Sequence, residues 1–208
     1  VIGPATTGQG VYAAEPVHFD RAGFWQVEVT AQASGKTYKG TSAFQVLDAP
    51  QVPTVGQKAL TSDNYIIGSD VPAQAIDSRA STTSDIPDSA LHKLTIAQAL
   101  QQQKPLVIVF STPVYCISRF CGPVTDMVAS LQQQFADKAN FIHIEIWKDF
   151  QNKEASPTAL EWLYRGGDLH EPWVFVVDRS GTIVGRWDNV VTREEVLPVL
   201  QKAINAAS

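Results

Sequence analysis

From Thr95 onward the apolar positions change period in a regular order. Ile96, Ala99 and Leu100 fall at helical spacing behind Thr95, and Gln98 completes a capping-box pattern with that threonine. Lys104-Pro105 ends the helix, because a proline disfavours helical geometry in the residue before it. Leu106-Val107-Ile108-Val109-Phe110 is an unbroken run of β-formers, the pattern of a strand covered on both faces. Val124, Met127, Val128, Leu131 and Phe135 return to helical spacing and predict a helix over 123–135, followed by a strand over 141–147. Ser156-Pro157 is an N-cap with proline at the first helical position, opening a helix to 163 that Gly166-Gly167 ends. Strands over 173–177 and 182–187 flank the hairpin turn Asp178-Arg179-Ser180-Gly181. Thr192 and Glu195 cap the last helix, in which Pro198 is expected to kink the axis or delay the regular part. Helices alternating with strands and ending on a hairpin and a helix predict an α/β fold, a central sheet flanked by helices.

The chain before Thr95 reads differently. Residues 24–30 alternate in part, 41–47 form a second apolar run, and Ser34-Gly35-Lys36 between them is a turn. Ala22-Gly23-Phe24-Trp25 resembles the penultimate strand of small immunoglobulin-like sandwiches. A lone hairpin is marginal in water. Residues 1–48 are therefore expected to be the end of a β-sandwich, or to pair with the following domain or a partner subunit. Residues 49–91, rich in Pro, Ser, Thr, Asp and Gln, are expected as linker and lead-in, with 78–89 the most loop-like stretch. Residues 92–208 form the α/β domain.

Composition narrows the function. A hydrophobic content of 44% and a charged content of 18% describe a globular protein. The formal charge of -5 and the lack of any Lys/Arg run beyond a pair give no footprint for nucleic acid. No apolar run approaches the roughly 18–20 residues that span a bilayer. Val1 carries no signal-peptide pattern, so a targeting segment is not legible. Two cysteines suit an exported protein with one bridge, and suit a cytosolic redox protein almost as well.

Those cysteines carry the chemistry. The run Ser111-Thr112-Pro113-Val114-Tyr115-Cys116-Ile117-Ser118-Arg119-Phe120-Cys121-Gly122-Pro123 lies between the central strand and a helix. Free N–H groups and the helix dipole at such a start favour a thiolate, and a second thiol can resolve a mixed disulfide within the same molecule. The segment resembles the active-site region of the thioredoxin superfamily. Val55-Gly56-Gln57-Lys58-Ala59 is similar to the lead-in of its membrane-anchored, extracytoplasmic members, and Glu171-Pro172-Trp173 matches the place of its cis-proline. The resemblance covers about 55–207. It implies a thioredoxin-like fold, Cys116 and Cys121 as catalytic pair, and Glu171, Pro172 and Trp173 as substrate-binding residues. It further implies protein thiol or disulfide substrates, no cofactor, an extracytoplasmic setting (secreted, periplasmic or cell-surface), and a membrane tether outside this chain.

The motif departs from the usual C-x-x-C with Gly-Pro inside it, since here Gly-Pro follows the second cysteine. Cys121-Gly122-Pro123-Val124 either fills the usual motif with Cys116 on the preceding loop, or Cys116 takes the nucleophile position ahead of a lengthened turn. Cys116 is the favoured attacker. Two other readings stay open: a non-catalytic binding or assembly module with a structural disulfide, and a Sco-type copper chaperone using Cys116, Cys121 and His170. His143 is expected in sheet packing, while His18 and His92 have no evident partner. Most of the tryptophans are expected in the core.

Overall fold

The computed structural model describes residues 17–165 and 167–206. The chain divides into two compact units, Val1–Pro50 and Gln51–Ser208. Within the first, strands β1 (Gly23–Ala33) and β2 (Lys36–Val46) pair antiparallel from Gly23↔Val46 to Ala33↔Lys36. Ser34 and Gly35 turn the chain with φ of 50° and 74°, the doubly left-handed geometry that matches strand twist in two-residue hairpins. Phe19 packs edge-on against Trp25 and Phe44, at 5.2 and 5.4 Å between centroids. Phe24, by contrast, is 85% exposed.

Among the described residues these two strands are the whole of their sheet. The second strand begins at Lys36, well before the apolar run at residue 41, because the tight turn lets pairing start at once. Residues 1–16 of the expected 1–48 segment lie outside the described residues, as does Gly166 of the expected helix stop.

The second unit is built on four strands. β3 (Leu106–Ser111) is buried at every position, as its unbroken apolar run requires. It pairs in parallel with β4 (Asn140–Glu145). A short ribbon of β5 (Trp147–Asp149) and β6 (Glu154–Ala155) follows, then β7 (Trp173–Val177) and β8 (Ile183–Asp188). The order is β4-β3-β7-β8, with β7 antiparallel to both its neighbours. The apolar run expected as one strand over 141–147 is divided: Ile146 donates to Ser111 O at 3.3 Å and Trp147 turns away to pair with Ala155.

Four helices cover the sheet: α1 (Ile96–Gln101), α2 (Cys121–Phe135), α3 (Pro157–Leu163) and α4 (Arg193–Asn205). Alternation along the strands sends Val107, Val109, Phe141, Val174 and Val176 into one layer with α2 and α4. Leu106, Ile108, Phe110, Ile142, Ile144 and Phe175 enter the other with α1 and α3. Both capping boxes form. Thr95 N–H donates to Gln98 Oε1 at 3.0 Å, and Thr192 N–H donates to Glu195 Oε2 at 3.0 Å. Pro198 does not delay α4, which runs from Arg193 through it. No helix of the described residues is long and apolar enough to cross a membrane.

Residues 51–91 lack periodicity because their backbone groups bond to the sheet edge and to local turns. Gly56 N–H donates to Ile183 O, Ile183 N–H to Gln57 O and Ala59 N–H to Gly181 O, each at 2.9 Å, so this stretch covers the free edge of β8. Further on, Ala73, Ile76, Ala80 and Ile86 form a small apolar cluster of their own.

Candidate active site

β3 ends at Ser111 and α2 begins at Cys121, two residues earlier than the apolar spacing predicted. The intervening loop folds back so that Cys116 meets the helix start, and the two cysteines are joined in a disulfide with Cα atoms 6.0 Å apart. Arg119, exposed, takes a left-handed φ of 66° that helps reverse the chain between them. The sulfurs differ in access. Cys121 is fully buried as the first residue of α2, whereas Cys116 is half-buried on the loop. Cys121 N–H donates to Cys116 Sγ at 3.4 Å, so an orphan donor of the helix start points at the outer sulfur. Ser118 Oγ lies 3.2 Å from the same sulfur and accepts from Phe120 N–H at 3.4 Å.

Across from the disulfide runs the segment entering β7. The Glu171–Pro172 bond is cis, and Glu171 O accepts from Ser118 Oγ at 3.5 Å. A Glu171 carboxylate oxygen and both sulfurs lie within 4.8 Å of one another. Burial, and then the negative charges of Glu145 and Asp168, push the Glu171 carboxyl up to about 7. Trp173 stacks on Phe175 at 5.9 Å, and its ring carries the Arg186 guanidinium 5.5 Å from its centroid. A cleft of about 530 Å³ opens here, lined by Ile117, Ser118, His170, Glu171, Pro172 and Trp173 among others. Ile117, next to the outer cysteine, is 92% exposed at this mouth.

A strand order of β4-β3-β7-β8, one parallel and two antiparallel pairings, and a cysteine pair where β3 hands over to α2 decide the architecture. The fold is thioredoxin-like.

The chain is similar to a thiol:disulfide interchange protein of the thioredoxin family from Chlorobium tepidum TLS, at 17% identity and a TM-score of 0.43, over 76% of this chain and 100% of that one. It is also similar to a thio-disulfide isomerase from Thermus thermophilus, at 21% identity and a TM-score of 0.36, over 54% of this chain and 86% of that one. No family model matches the chain, and no curated protein does.

Each residue expected at this thioredoxin-like site can now be placed. Cys116 and Cys121 are bonded, and Glu171, Pro172 and Trp173 line the facing segment. His170 is exposed and pairs with Asp168 at 3.1 Å, and the third donor gathered with the two sulfurs is Glu171. Trp162 is a core residue whose Nε1 donates to Ser62 Oγ at 3.0 Å.

Sequence reasoning missed a second polar group beneath the site. Asp77, His92 and His143 are all fully buried and converge on one carboxylate. Burial alone would raise the Asp77 carboxyl, but His143, His92 and Arg79 around it hold it far below the usual carboxylate range. Glu145 is also buried and accepts from Ser78 N–H at 2.9 Å, with burial pushing its carboxyl up. One signal was present: His143 and Glu145 interrupt the apolar run Phe141-Ile142-His143-Ile144-Glu145-Ile146 on a single face.

Proposed function

We propose that this chain is a thiol–disulfide oxidoreductase acting on protein cysteines, working in an extracytoplasmic compartment where a bonded cysteine pair persists. The observation that carries this reading is the unequal access of the two bonded sulfurs: Cys116 half-buried on the loop whose next residues, Ile117 and Ser118, line the cleft, Cys121 sealed at the helix start. A substrate thiolate attacks Cys116 Sγ and forms a mixed disulfide. The Cys116–Cys121 bond breaks, and its electron pair leaves on Cys121 Sγ. A proton then reaches that sulfur from Glu171, the carboxyl gathered with it. A second substrate thiolate attacks the substrate sulfur of the mixed disulfide and releases Cys116 as a thiolate. The substrate is oxidised by two electrons and the protein pair is reduced by two. Run backwards, the same steps reduce a substrate disulfide, with Cys116 as attacker and Cys121 as resolver. Ile117 and Trp173 supply apolar walls for the peptide around the reacting cysteine.

Trapping tests the assignment. Cys121→Ser, mixed with a peptide disulfide, should accumulate a stable mixed disulfide through Cys116, seen by mass spectrometry under non-reducing conditions. Cys116→Ser should accumulate far less. A wild-type bond that resists a glutathione redox buffer, together with no trapping by Cys121→Ser, would assign the disulfide to structure alone.

A further inference from the structure

Asp77, His92 and His143 come from three separate segments, the lead-in, the 3-10 turn Ser89–His92 and β4, and none of them belongs to the disulfide site. His92 Nε2 and His143 Nδ1 each stand 3.4 Å from Asp77 Oδ2, and the three atoms all lie within 4.8 Å of one another. That spacing is long for a good hydrogen bond. Neither nitrogen has a hydrogen-bond partner among the described residues, although both are fully buried, a condition that costs free energy unless something meets them. Ligands held about 2.0–2.1 Å from a tetrahedral ion are separated by about 3.4 Å, which is the spacing of each nitrogen from Asp77 Oδ2 here.

We propose that Asp77, His92 and His143 form a buried binding site for a divalent transition-metal cation of the zinc class. The donor set, two imidazoles and one carboxylate, suits zinc, iron(II) or cobalt(II) and not calcium or magnesium. Asp77 has room for it. Arg79 Nε donates to Oδ1 at 3.0 Å and Nη2 to Oδ2 at 2.7 Å, and each carboxylate oxygen offers two lone-pair directions. The outer group fits at His143: its Nε2 lies 2.9 Å from Ser111 Oγ, so a cation on Nδ1 leaves Nε2–H as the donor, the usual support of a ligating histidine, whereas His92 Nδ1 has no such partner among the described residues. Ser111 Oγ in turn lies 2.6 Å from Thr125 Oγ1, which donates to Cys121 O at 2.8 Å. Arg79 also pairs with Asp88 at 2.8 Å, so its charge is shared between two carboxylates and is not spent on Asp77 alone. Sealed from solvent, the ion acts as a staple tying the lead-in to β4 and to the layer that carries α2.

The test uses the full chain with its disulfide closed, so that neither sulfur is available as a thiolate. The protein is refolded from denaturant with Zn2+ or Co2+, desalted and assayed for metal, and the Co2+ form is examined by absorption and by NMR. The proposal expects stoichiometric retention, ligand-field bands, and paramagnetic shifts of the His92 and His143 rings but not of His18 or His170. Asp77→Asn and His92→Gln should weaken binding by more than about tenfold, while His170→Ala retains the metal. Wild-type protein that keeps neither metal, or Co2+ that shifts His170 and leaves His92 and His143 unmoved, overturns it. The NMR comparison needs no variant, so a substitution that fails to fold leaves the outcome decisive.

Discussion

At the scale of single residues, Glu171 gives the site its pH dependence. Its carboxyl sits at about 7 because burial and the neighbouring Glu145 and Asp168 disfavour the charge. Below that pH it holds a proton beside the sulfurs, and above it a negative charge there opposes thiolate formation. The rate at which a small thiol reduces the disulfide should therefore show an inflection near pH 7 in the wild type. Glu171→Gln should lose that inflection, as stopped-flow reduction across pH 5 to about 9 would show. Stability of the oxidised protein responds in a defined direction. The folded value of about 7 exceeds the ordinary 4.5, so the folded state binds more protons between them. Stability is thus lost as pH rises through that window. His92, whose burial lowers its value, acts in the opposite sense over part of the same range. The readout is accordingly the difference between wild type and Glu171→Gln in denaturant titrations. That difference should shift against the wild type from pH 4.5 to about 7 and stay flat on either side. The cysteine pair was legible because thiols are rare and their place between strand and helix is local. The place of Glu171 across from the sulfurs was legible only through the resemblance and not from local pattern, because it depends on how a distant loop is presented to α2.

At the scale of elements, strong periodicity translated directly into structure, and boundaries moved where a side chain or turn intervened. β3 and the two capping boxes followed their local patterns. The start of α2 did not, because Cys121 and Gly122 add no apolar face but are drawn into helical geometry ahead of Pro123. The β7–β8 hairpin contains a tight contact that the sequence does not advertise. A Cβ at Gly185 would run into the Trp187 ring on the same face and come within 3.0 Å of Val199 Cγ1 on α4. Gly185→Ala should therefore displace Trp187 and cost about 1–3 kcal/mol, the usual range for overpacking. Thermal melting together with near-ultraviolet circular dichroism would register both effects, and an unchanged melt would show that the indole moves freely. Combining it with Trp187→Val should recover part of the loss, because the two positions are in contact.

At the scale of the whole molecule, the apolar clusters draw their members from residue 52 onward. In the hairpin β1–β2 most of the side chains are exposed. Sequence composition marked a change near residue 50, yet the tertiary role of 51–91 was hidden. Its hydrogen bonds go to β8 and to short turns, which leave no repeating pattern, and one partner of Asp77, His143, comes from a strand far along the chain. A two-stranded ribbon is marginal on its own, so the cooperative unfolding transition belongs to the second unit. Removing residues 1–50 should leave that transition within about 2 °C of the full chain by calorimetry, since a loss of 1 kcal/mol would move it by roughly 2–4 °C in a domain of this size. Trapping of a peptide by Cys121→Ser should also persist in the shortened chain. A drop of many degrees would mean that the hairpin buries apolar surface on which the sheet depends, and the two units would then have to be treated as one folding body.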